Sequence, residues 1–166
     1  NIDPSLDDKV DIVQNAIDFA HLMGVPKPKV ALLAALEMVT PKMRATTDAA
    51  ALCKMADRGQ ITGALLDGPL GLDNAVSKDL ARNQGIRSLV AGQADVLVAP
   101  DLESANMLAK QLEQLSDAIS GGVAMGARVP IVLMNRSDSQ ENRIASCVLA
   151  QLVAQRRDWR ERPRYS

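Results

Sequence analysis

The sequence contains very few aromatic residues and no strong excess of charge. Only Phe19, Trp159 and Tyr165 are aromatic among 166 residues, so the chain lacks the stacking surface with which many proteins hold single-stranded nucleic acid. The formal net charge is -1, which provides no overall basic field to attract a phosphate backbone. We therefore expect no nucleic-acid partner.

Histidine and cysteine are too rare for two common kinds of site. The one histidine, His21, lies near the end of a helical pattern, where an interaction with the helix dipole is favoured over a Ser-His-Asp triad. No cluster of His and Cys has the spacing of a zinc site. Cys53 and Cys147 stand far apart, which is typical of a reducing compartment. We expect no metal and a cytoplasmic location.

Long hydrophobic runs are also lacking. No apolar segment approaches the roughly 20 residues that span a bilayer, and the first residues do not have the pattern of a signal peptide. Hydrophobic residues still make up 47% of the chain, which is enough for one domain with an aliphatic core. We expect a soluble domain with no membrane partner.

Helical and strand-like patterns alternate along most of the chain. Helices are predicted from Ser5 to Gly24, from Thr46 or Thr47 to Asp57, from Asn74 to Arg82, from Leu102 to Ile119 and from Ser139 to Arg157. Strands are predicted at Val30–Leu36, Ile61–Leu66, Asp95–Ala99 and Val129–Met134. Because these strands are continuous apolar runs, helices should cover both faces of the sheet. The predicted fold class is α/β, a three-layer α/β/α domain with a largely parallel sheet.

The segment Val132–Arg143 combines an apolar strand, a polar loop and a helix start. An arginine such as Arg136 beside the free N–H groups of a helix N-terminus favours the binding of an anion such as phosphate. The same pattern is also compatible with a surface ion pair of Arg136 and a helix cap formed by Asp138 or Ser139. The residues alone leave both interpretations open.

Acidic residues also follow other predicted strands. Asp101 is interpreted as a helix cap after the strand that ends at Ala99, and Asp67 begins an acid-Gly-Pro sequence that is common in turns. A metal site would have to use Asp67, Asp95 and Asp101, which are the plausible acids for it. The glycines at positions 121, 122 and 126 do not have the spacing of a dinucleotide-binding loop.

Several of these segments occur together, in the same order, in one family of enzymes. They are Lys54–Ile61, Asp67–Leu70, Asp73–Ala75, Val90–Asp95, Pro100–Leu102 and Arg136–Ser139. The chain resembles the phosphate acetyl/butyryltransferase family over residues 6–155. It is most similar to the branch in which this domain follows a hydratase-like module.

The resemblance implies reversible acyl transfer between acyl-CoA and inorganic phosphate, with no metal or prosthetic group. It also implies a two-domain α/β fold related to the isocitrate and isopropylmalate dehydrogenases, with the site in the interdomain cleft and a homodimer as the usual assembly. Family members are longer. Residues 1–155 are therefore expected to be the C-terminal part of the family's fold, with its N-terminal half absent, and residues 156–166 to be a basic tail.

The resemblance also assigns roles to individual residues. Arg136 would bind the phosphoryl group, and Asn135, which stands where the family has serine, would donate a hydrogen bond near the reacting carbonyl. Asp138 is the nearest candidate base for the thiol of coenzyme A, since Asn142 stands where acetyl-type members have an aspartate. Further substrate contacts are expected from Ser139, Asn142 and Asp101.

Two alternatives remain at this point. The departures at Asn135 and Asn142 are compatible with a catalytically weakened domain that serves assembly or acyl-CoA retention. A metal-dependent β-decarboxylating dehydrogenase on the related fold would need Asp67, Asp95 and Asp101 to converge on one ion.

Overall fold

The chain divides into two compact units, Asn1–Met107 and Leu108–Ser166. The computed structural model describes residues 2–116, 118–136 and 138–155. The predicted basic tail at 156–166 and the predicted helix end at Arg157 lie outside the described residues. Residues 1–107 are called the first unit and residues 108–166 the second.

The first unit contains a three-stranded parallel sheet, which confirms the predicted α/β class. Its strands β1 (Lys29–Leu33), β2 (Leu65–Leu70) and β3 (Val96–Val98) are arranged in the order β2-β1-β3. Val30 of the central strand is paired with Leu66 on one side and Val96 on the other. The helices of this unit are α1 (Leu6–Leu22), α2 (Arg44–Asp57), α3 (Leu72–Val76) and α4 (Lys78–Asn83).

Helix α1 forms where its local signals place it. The Ser5 hydroxyl accepts from the amide of Asp8 at 3.2 Å, and the Asp8 carboxylate accepts from the amide of Ser5 at 2.9 Å. This capping box satisfies two amides that have no partner within the helix. Val13 and Ile17, four residues apart, are fully buried on one face of the helix.

The core of the first unit lies between α1, α2 and the sheet. Val13 and Ile17 cluster with Val30 and Leu32 of β1 and with Leu52 of α2. Ala31, whose side chain points to the opposite face of the sheet because strand residues alternate, is also fully buried. The central strand is therefore covered on both faces, as the continuous apolar run predicts.

The second strand was predicted at the wrong position. It begins at Leu65 and ends at Leu70, so that Asp67, Gly68 and Pro69 belong to the strand and do not form a turn after it. A proline is tolerated here because β2 is an edge strand of the sheet. Gly68 is required by close packing, since a Cβ at this position would lie 2.7 Å from the carbonyl oxygen of Leu32.

Two predicted helix boundaries also change. Helix α2 begins at Arg44, and Thr46 is buried inside it, where its hydroxyl accepts from the amide of Thr40 at 3.0 Å. The predicted helix from Asn74 to Arg82 is divided into α3 and α4, because Ser77 has an extended backbone and caps α4 by accepting from the amide of Leu80.

The second unit contains the end of α5 (Leu102–Leu115), the strands β4 (Gly122–Ala124) and β5 (Ile131–Leu133), and helix α6 (Gln140–Gln155). Helix α5 is shorter than predicted and crosses from the first unit into the second. The strands form a separate antiparallel pair in which Val123 is opposite Val132.

The strand predicted at Val129–Met134 is therefore shorter and is not part of the parallel sheet. A strand that the sequence patterns did not predict, β4, begins at Gly122. The connection of six residues between β4 and β5 explains the antiparallel arrangement, because parallel strands need a crossover of about a dozen residues or more. No helix in the described ranges has the length and apolar character needed to cross a bilayer.

Candidate functional site

The loop between β5 and α6 is closed by its own hydrogen bonds. The amide of Asn135 donates to Oδ2 of Asp138 at 2.6 Å, and the amide of Asp138 donates to the carbonyl oxygen of Asn135 at 3.2 Å. Asp138 thus folds back on the loop and does not cap the helix. Its carboxylate is held in place by a backbone donor, which fixes its position relative to Asn135.

Ser139 is the residue that caps α6. Its hydroxyl accepts from the amide of Asn142 at 3.1 Å, which is the usual bond between an N-cap side chain and the third helical residue. The first helical amides, those of Gln140 and Glu141, have no acceptor within the helix. The positive end of the α6 dipole therefore lies directly after the loop.

Arg136 is at the tip of this loop and is exposed. It forms no ion pair with any residue in the described ranges, so the predicted alternative of a surface ion pair finds no partner there. Arg143 reaches back from α6, and its Nη2 lies 3.4 Å from the carbonyl oxygen of Arg136. Arg143 is not among the residues predicted for the site, although a cation one turn into the helix is visible from spacing alone.

Asn142 connects α6 to the segment that follows α5. Its Oδ1 accepts from the amide of Ser120 at 3.2 Å, and the Ser120 hydroxyl donates to Glu113 at 2.7 Å. Hydrogen bonds from Lys110 and Ser120 lower the pKa of Glu113 below its ordinary value. The Asn142 oxygen thus has a structural task, while its NH₂ group forms no hydrogen bond with the residues that the structure describes.

Asp101 lies in the first unit, at the carboxyl end of β3, and caps α5. Its Oδ1 accepts from the amide of Ser104 at 2.8 Å and from the Ser104 hydroxyl at 2.7 Å. These bonds lower the pKa of Asp101 below its ordinary value. The cap interpretation is confirmed, while the predicted contact of Asp101 with substrate stays a prediction.

The three acids considered for a metal site do not converge. Asp95 and Asp101 lie at opposite ends of β3, the Asp95 carboxylate accepts from the amide of Lys29 at 2.8 Å, and Asp67 accepts from the amide of Gly68 at 2.8 Å. Within the described ranges, no group of three or more His, Cys, Asp or Glu side chains is arranged to hold a metal ion. The geometry offers no support for a metal-dependent dehydrogenase.

A polar cluster that the sequence analysis missed lies at the carboxyl ends of β1 and β2. Asn74 is fully buried, and its Nδ2 donates to Glu37 at 2.7 Å and to Gln84 at 3.0 Å. Glu37 also accepts from the amide of Gly71 at 3.1 Å. The bond from Asn74 lowers the pKa of Glu37, against the opposing effect of burial. The available signal was a carboxylate directly after the apolar run Val30–Leu36.

Comparison with known proteins identifies close relatives over nearly the whole chain. The model of the family described as "Phosphate acetyl/butaryl transferase" matches residues 1–151. The chain is 57% identical over 157 residues to a phosphate acetyltransferase of Rhizobium meliloti, with 95% of this chain and 50% of that protein covered. It is 46% identical over 154 residues to a phosphate butyryltransferase of Clostridium acetobutylicum, with 93% and 51% covered.

A solved structure extends this similarity to the fold. The branched-chain phosphotransacylase from Enterococcus faecalis V583 matches with a TM-score of 0.84 and 36% identity, over 92% of this chain and 54% of that protein. The chain thus spans about half the length of the relatives it matches.

Proposed function

The chain belongs to the phosphate acetyl/butyryltransferase family, and from this we propose that its protein transfers an acyl group reversibly between acyl-CoA and inorganic phosphate. In the direction of acyl phosphate synthesis, a phosphate oxygen attacks the thioester carbonyl and the bond to sulfur breaks. The products are acyl phosphate and coenzyme A. The names of the relatives, acetyltransferase and butyryltransferase, support an acyl group of this kind.

The observation that carries the proposal is the exposed position of the Arg136 guanidinium beside a helix N-terminus. Its guanidinium is exposed and has no ion-pair partner within the described ranges, next to a helix N-terminus capped by Ser139. A planar guanidinium matches two phosphate oxygens, and helix amides add positive potential. Arg136 would therefore bind phosphate and offset the charge that develops as acyl phosphate forms or breaks.

Asn135 and Asp138 are proposed to act on the two ends of the breaking thioester. The backbone amide of Asn135 is used by Asp138, which leaves the side-chain NH₂ of Asn135 to donate to the reacting carbonyl. One carboxylate oxygen of Asp138 accepts that amide. In the reverse direction, in which the thiol of coenzyme A attacks acyl phosphate and phosphate leaves, the other oxygen is the proposed acceptor of the thiol proton; it returns this proton to the sulfur when the thioester breaks. Carboxylates do this work efficiently when they are positioned within hydrogen-bond reach.

For Ser139, Asn142 and Asp101 we propose substrate contacts through the polar atoms that remain available after their hydrogen bonds within the fold. The Ser139 hydroxyl accepts from Asn142 and keeps its own proton to donate to phosphate. The Asn142 NH₂ group would donate to the sulfur of coenzyme A. The Asp101 carboxylate already accepts a hydrogen bond from the amide of Ser104. It would therefore contact substrate while it also caps α5.

The test is the Arg136→Ala variant of the intact protein, assayed for acyl phosphate formation. Loss of such a donor lowers the rate by about a hundred- to a thousand-fold, and Arg136→Lys should restore little because an ammonium lacks the planar fork. Arg128→Ala is the matched control, since Arg128 is exposed in the same unit without an ion pair in the described ranges. An Arg136→Ala protein with normal turnover and phosphate affinity would refute the assignment.

A second candidate function is a catalytically weakened domain of the same family, used for assembly or to retain acyl-CoA. It is favoured by Asn142, whose side-chain oxygen is occupied by Ser120 and which has no carboxylate to accept a proton. Failure of the intact protein to form acyl phosphate, with acyl-CoA binding retained, would favour this alternative.

The finer expectations from the family resemblance remain proposals as well. We propose that the protein is a cytoplasmic homodimer that acts without a metal or prosthetic group, and that a hydratase-like module accompanies it. Sedimentation of the intact protein tests the assembly. Turnover in the presence of a chelator tests the metal independence.

A further inference from the structure

A cavity in the first unit is lined by none of the residues assigned to the proposed acyl transfer. It has a volume of about 370 Å³ and lies between α4 and the segment that leads to β3. Among the residues that line it are three cations and no acid; they are Lys78, Arg82 and Arg87. Ser88, Gln93 and Ile86 complete much of the remaining wall.

The three cations are available to a ligand. All three are exposed, and none forms an ion pair with another residue in the described ranges. Positive charges that face one cavity repel each other, and an anion between them relieves this repulsion. Guanidinium groups bind phosphate oxygens in pairs, and a lysine adds a mobile point charge.

The backbone of Lys78 packs against Gly92, which lies between the lining residues Ala91 and Gln93. Gly92 has a φ of +75°, and a Cβ at this position would overlap the backbone of Lys78. The amide of Gly92 donates to the carbonyl oxygen of the buried Asn74 at 2.7 Å. The first contact fixes the start of α4, and the second fixes α3, against the segment before β3.

The segment that carries Arg87 is fixed at both ends. The amide of Ile86 donates to the carbonyl oxygen of Ala81 at 2.9 Å, beyond Gly85 with its φ of +71°. The Ser88 hydroxyl accepts from the amides of Val90 and Ala91, both at 2.9 Å. A site whose backbone is already in place loses little entropy when a ligand binds.

We propose that this cavity binds an anion with at least two phosphate groups through Lys78, Arg82 and Arg87. Three positive charges balance a diphosphate better than a single phosphate, and the volume is within the usual range of ligand cavities. Two sources have this chemistry: the phosphates of coenzyme A, and a separate phosphorylated metabolite. The coenzyme A source rests on the proposed function, whereas binding of pyrophosphate is measured without turnover, so failure of this proposal and failure of the acyl transfer are distinguishable.

The experiment measures binding of inorganic pyrophosphate and of coenzyme A to the intact protein by calorimetry. The test variant is Arg82→Gln/Arg87→Gln, and the control is Lys27→Gln/Arg58→Gln, which removes two exposed cations of the same unit outside the cavity. We expect pyrophosphate to bind the test variant at least about tenfold more weakly than the wild type, and the control to be unchanged.

The two sources give different results for coenzyme A. If its phosphates occupy the cavity, the test variant also binds coenzyme A more weakly and pyrophosphate competes with it. If a separate metabolite is the ligand, coenzyme A binding is unchanged. Absence of pyrophosphate binding to the wild type, or an equal loss in the control, would overturn the proposal. Thermal melting checks that the variants fold. If the double variant does not fold, the single variant Arg87→Gln is used as the test variant.

Discussion

The two units of the chain differ in how far their side chains are buried from solvent. In the first unit, β1 is buried on both faces, and Val13 and Ile17 of α1 are completely inaccessible to solvent. In the second unit, the end of α5 has no buried residue and the side chains of β5 are largely exposed, with Ile131 at 47% and Leu133 at 55%. The residues proposed to act on substrate are nevertheless concentrated in the second unit.

This contrast separates the framework from the reactive loop. The first unit is fixed by contacts between residues far apart in sequence, such as Val13 with Val30. The loop of the second unit is fixed by bonds that span three residues, from Asn135 to Asp138 and from Ser139 to Asn142. Substitutions in the first unit should therefore change stability, and substitutions in this loop should change activity.

The largest expected effect is on activity, in the Asp138→Asn variant. An asparagine oxygen can still accept from the amide of Asn135, so the loop should keep its shape and the protein its stability. An amide cannot take the thiol proton, so turnover should fall by about 10² to 10⁴. Steady-state rates across a range of pH, together with a urea melt, measure both quantities.

Glu141→Gln is the matched control, because it removes the same charge three residues further along. Unchanged turnover and an unchanged pH profile in Asp138→Asn would exclude Asp138 as the base. A loss in Glu141→Gln would transfer the role to Glu141. If neither changes, an Asn142→Asp substitution should accelerate the reaction by supplying a carboxylate.

The two cysteines should differ in reactivity because they differ in burial. Burial, assisted by the charges of Asp67 and Asp57, raises the pKa of Cys53 to about 12, whereas Cys147 is exposed on α6. At pH 8 about one Cys53 in ten thousand is therefore the reactive thiolate. Iodoacetamide should label Cys147 at least about a hundredfold faster, as measured by mass spectrometry of the peptides.

The denatured protein is the control for this comparison, because both thiols should then react at similar rates. Equal labelling in the native state would mean that the first unit opens easily, and the contrast between the units would be lost.

Core substitutions should have the next largest effect. Ile17→Ala removes a fully buried side chain and should lower the free energy of unfolding by about 2 to 5 kcal/mol. Leu133→Ala removes an exposed one and should cost less than about 1 kcal/mol. Urea unfolding of the intact protein measures both. A loss in Leu133→Ala as large as that in Ile17→Ala would mean that this face is covered in the intact protein.

The smallest expected effect concerns Glu37. Its pKa is lowered in the folded state by the bond from Asn74, so it stabilises the fold above its ordinary pKa of 4.5, and this contribution disappears as the pH falls further. At neutral pH the free energy of unfolding of the wild type should exceed that of Glu37→Gln by about a few tenths of a kcal/mol, since solvent screens the carboxylate. Urea unfolding at several pH values measures this difference. The difference should vanish in acid.

Local signals were sufficient for some parts of the molecule. Helix α1 follows from the capping box of Ser5 and Asp8 and from the four-residue spacing of Val13 and Ile17. The parallel sheet follows from the alternation of apolar runs with helices, and the pattern at Val132–Arg143 predicts the strand, polar loop and helix start that β5 and α6 form. Each of these features depends on residues that are neighbours in sequence, so the sequence by itself determined them.

Tertiary structure decided the features whose partners are distant. Strand β2 includes Pro69 because it lies at a sheet edge beside β1, and Glu37 meets Asn74 only because β1 and β2 end together. The antiparallel pairing of β5 was decided by β4, which no local pattern predicted. The assignment of the α6 cap to Ser139 depended on the backbone of the loop. In each case the local sequence was compatible with several partners for the same strand or side chain. Burial and hydrogen bonding between distant segments selected the partner that is observed.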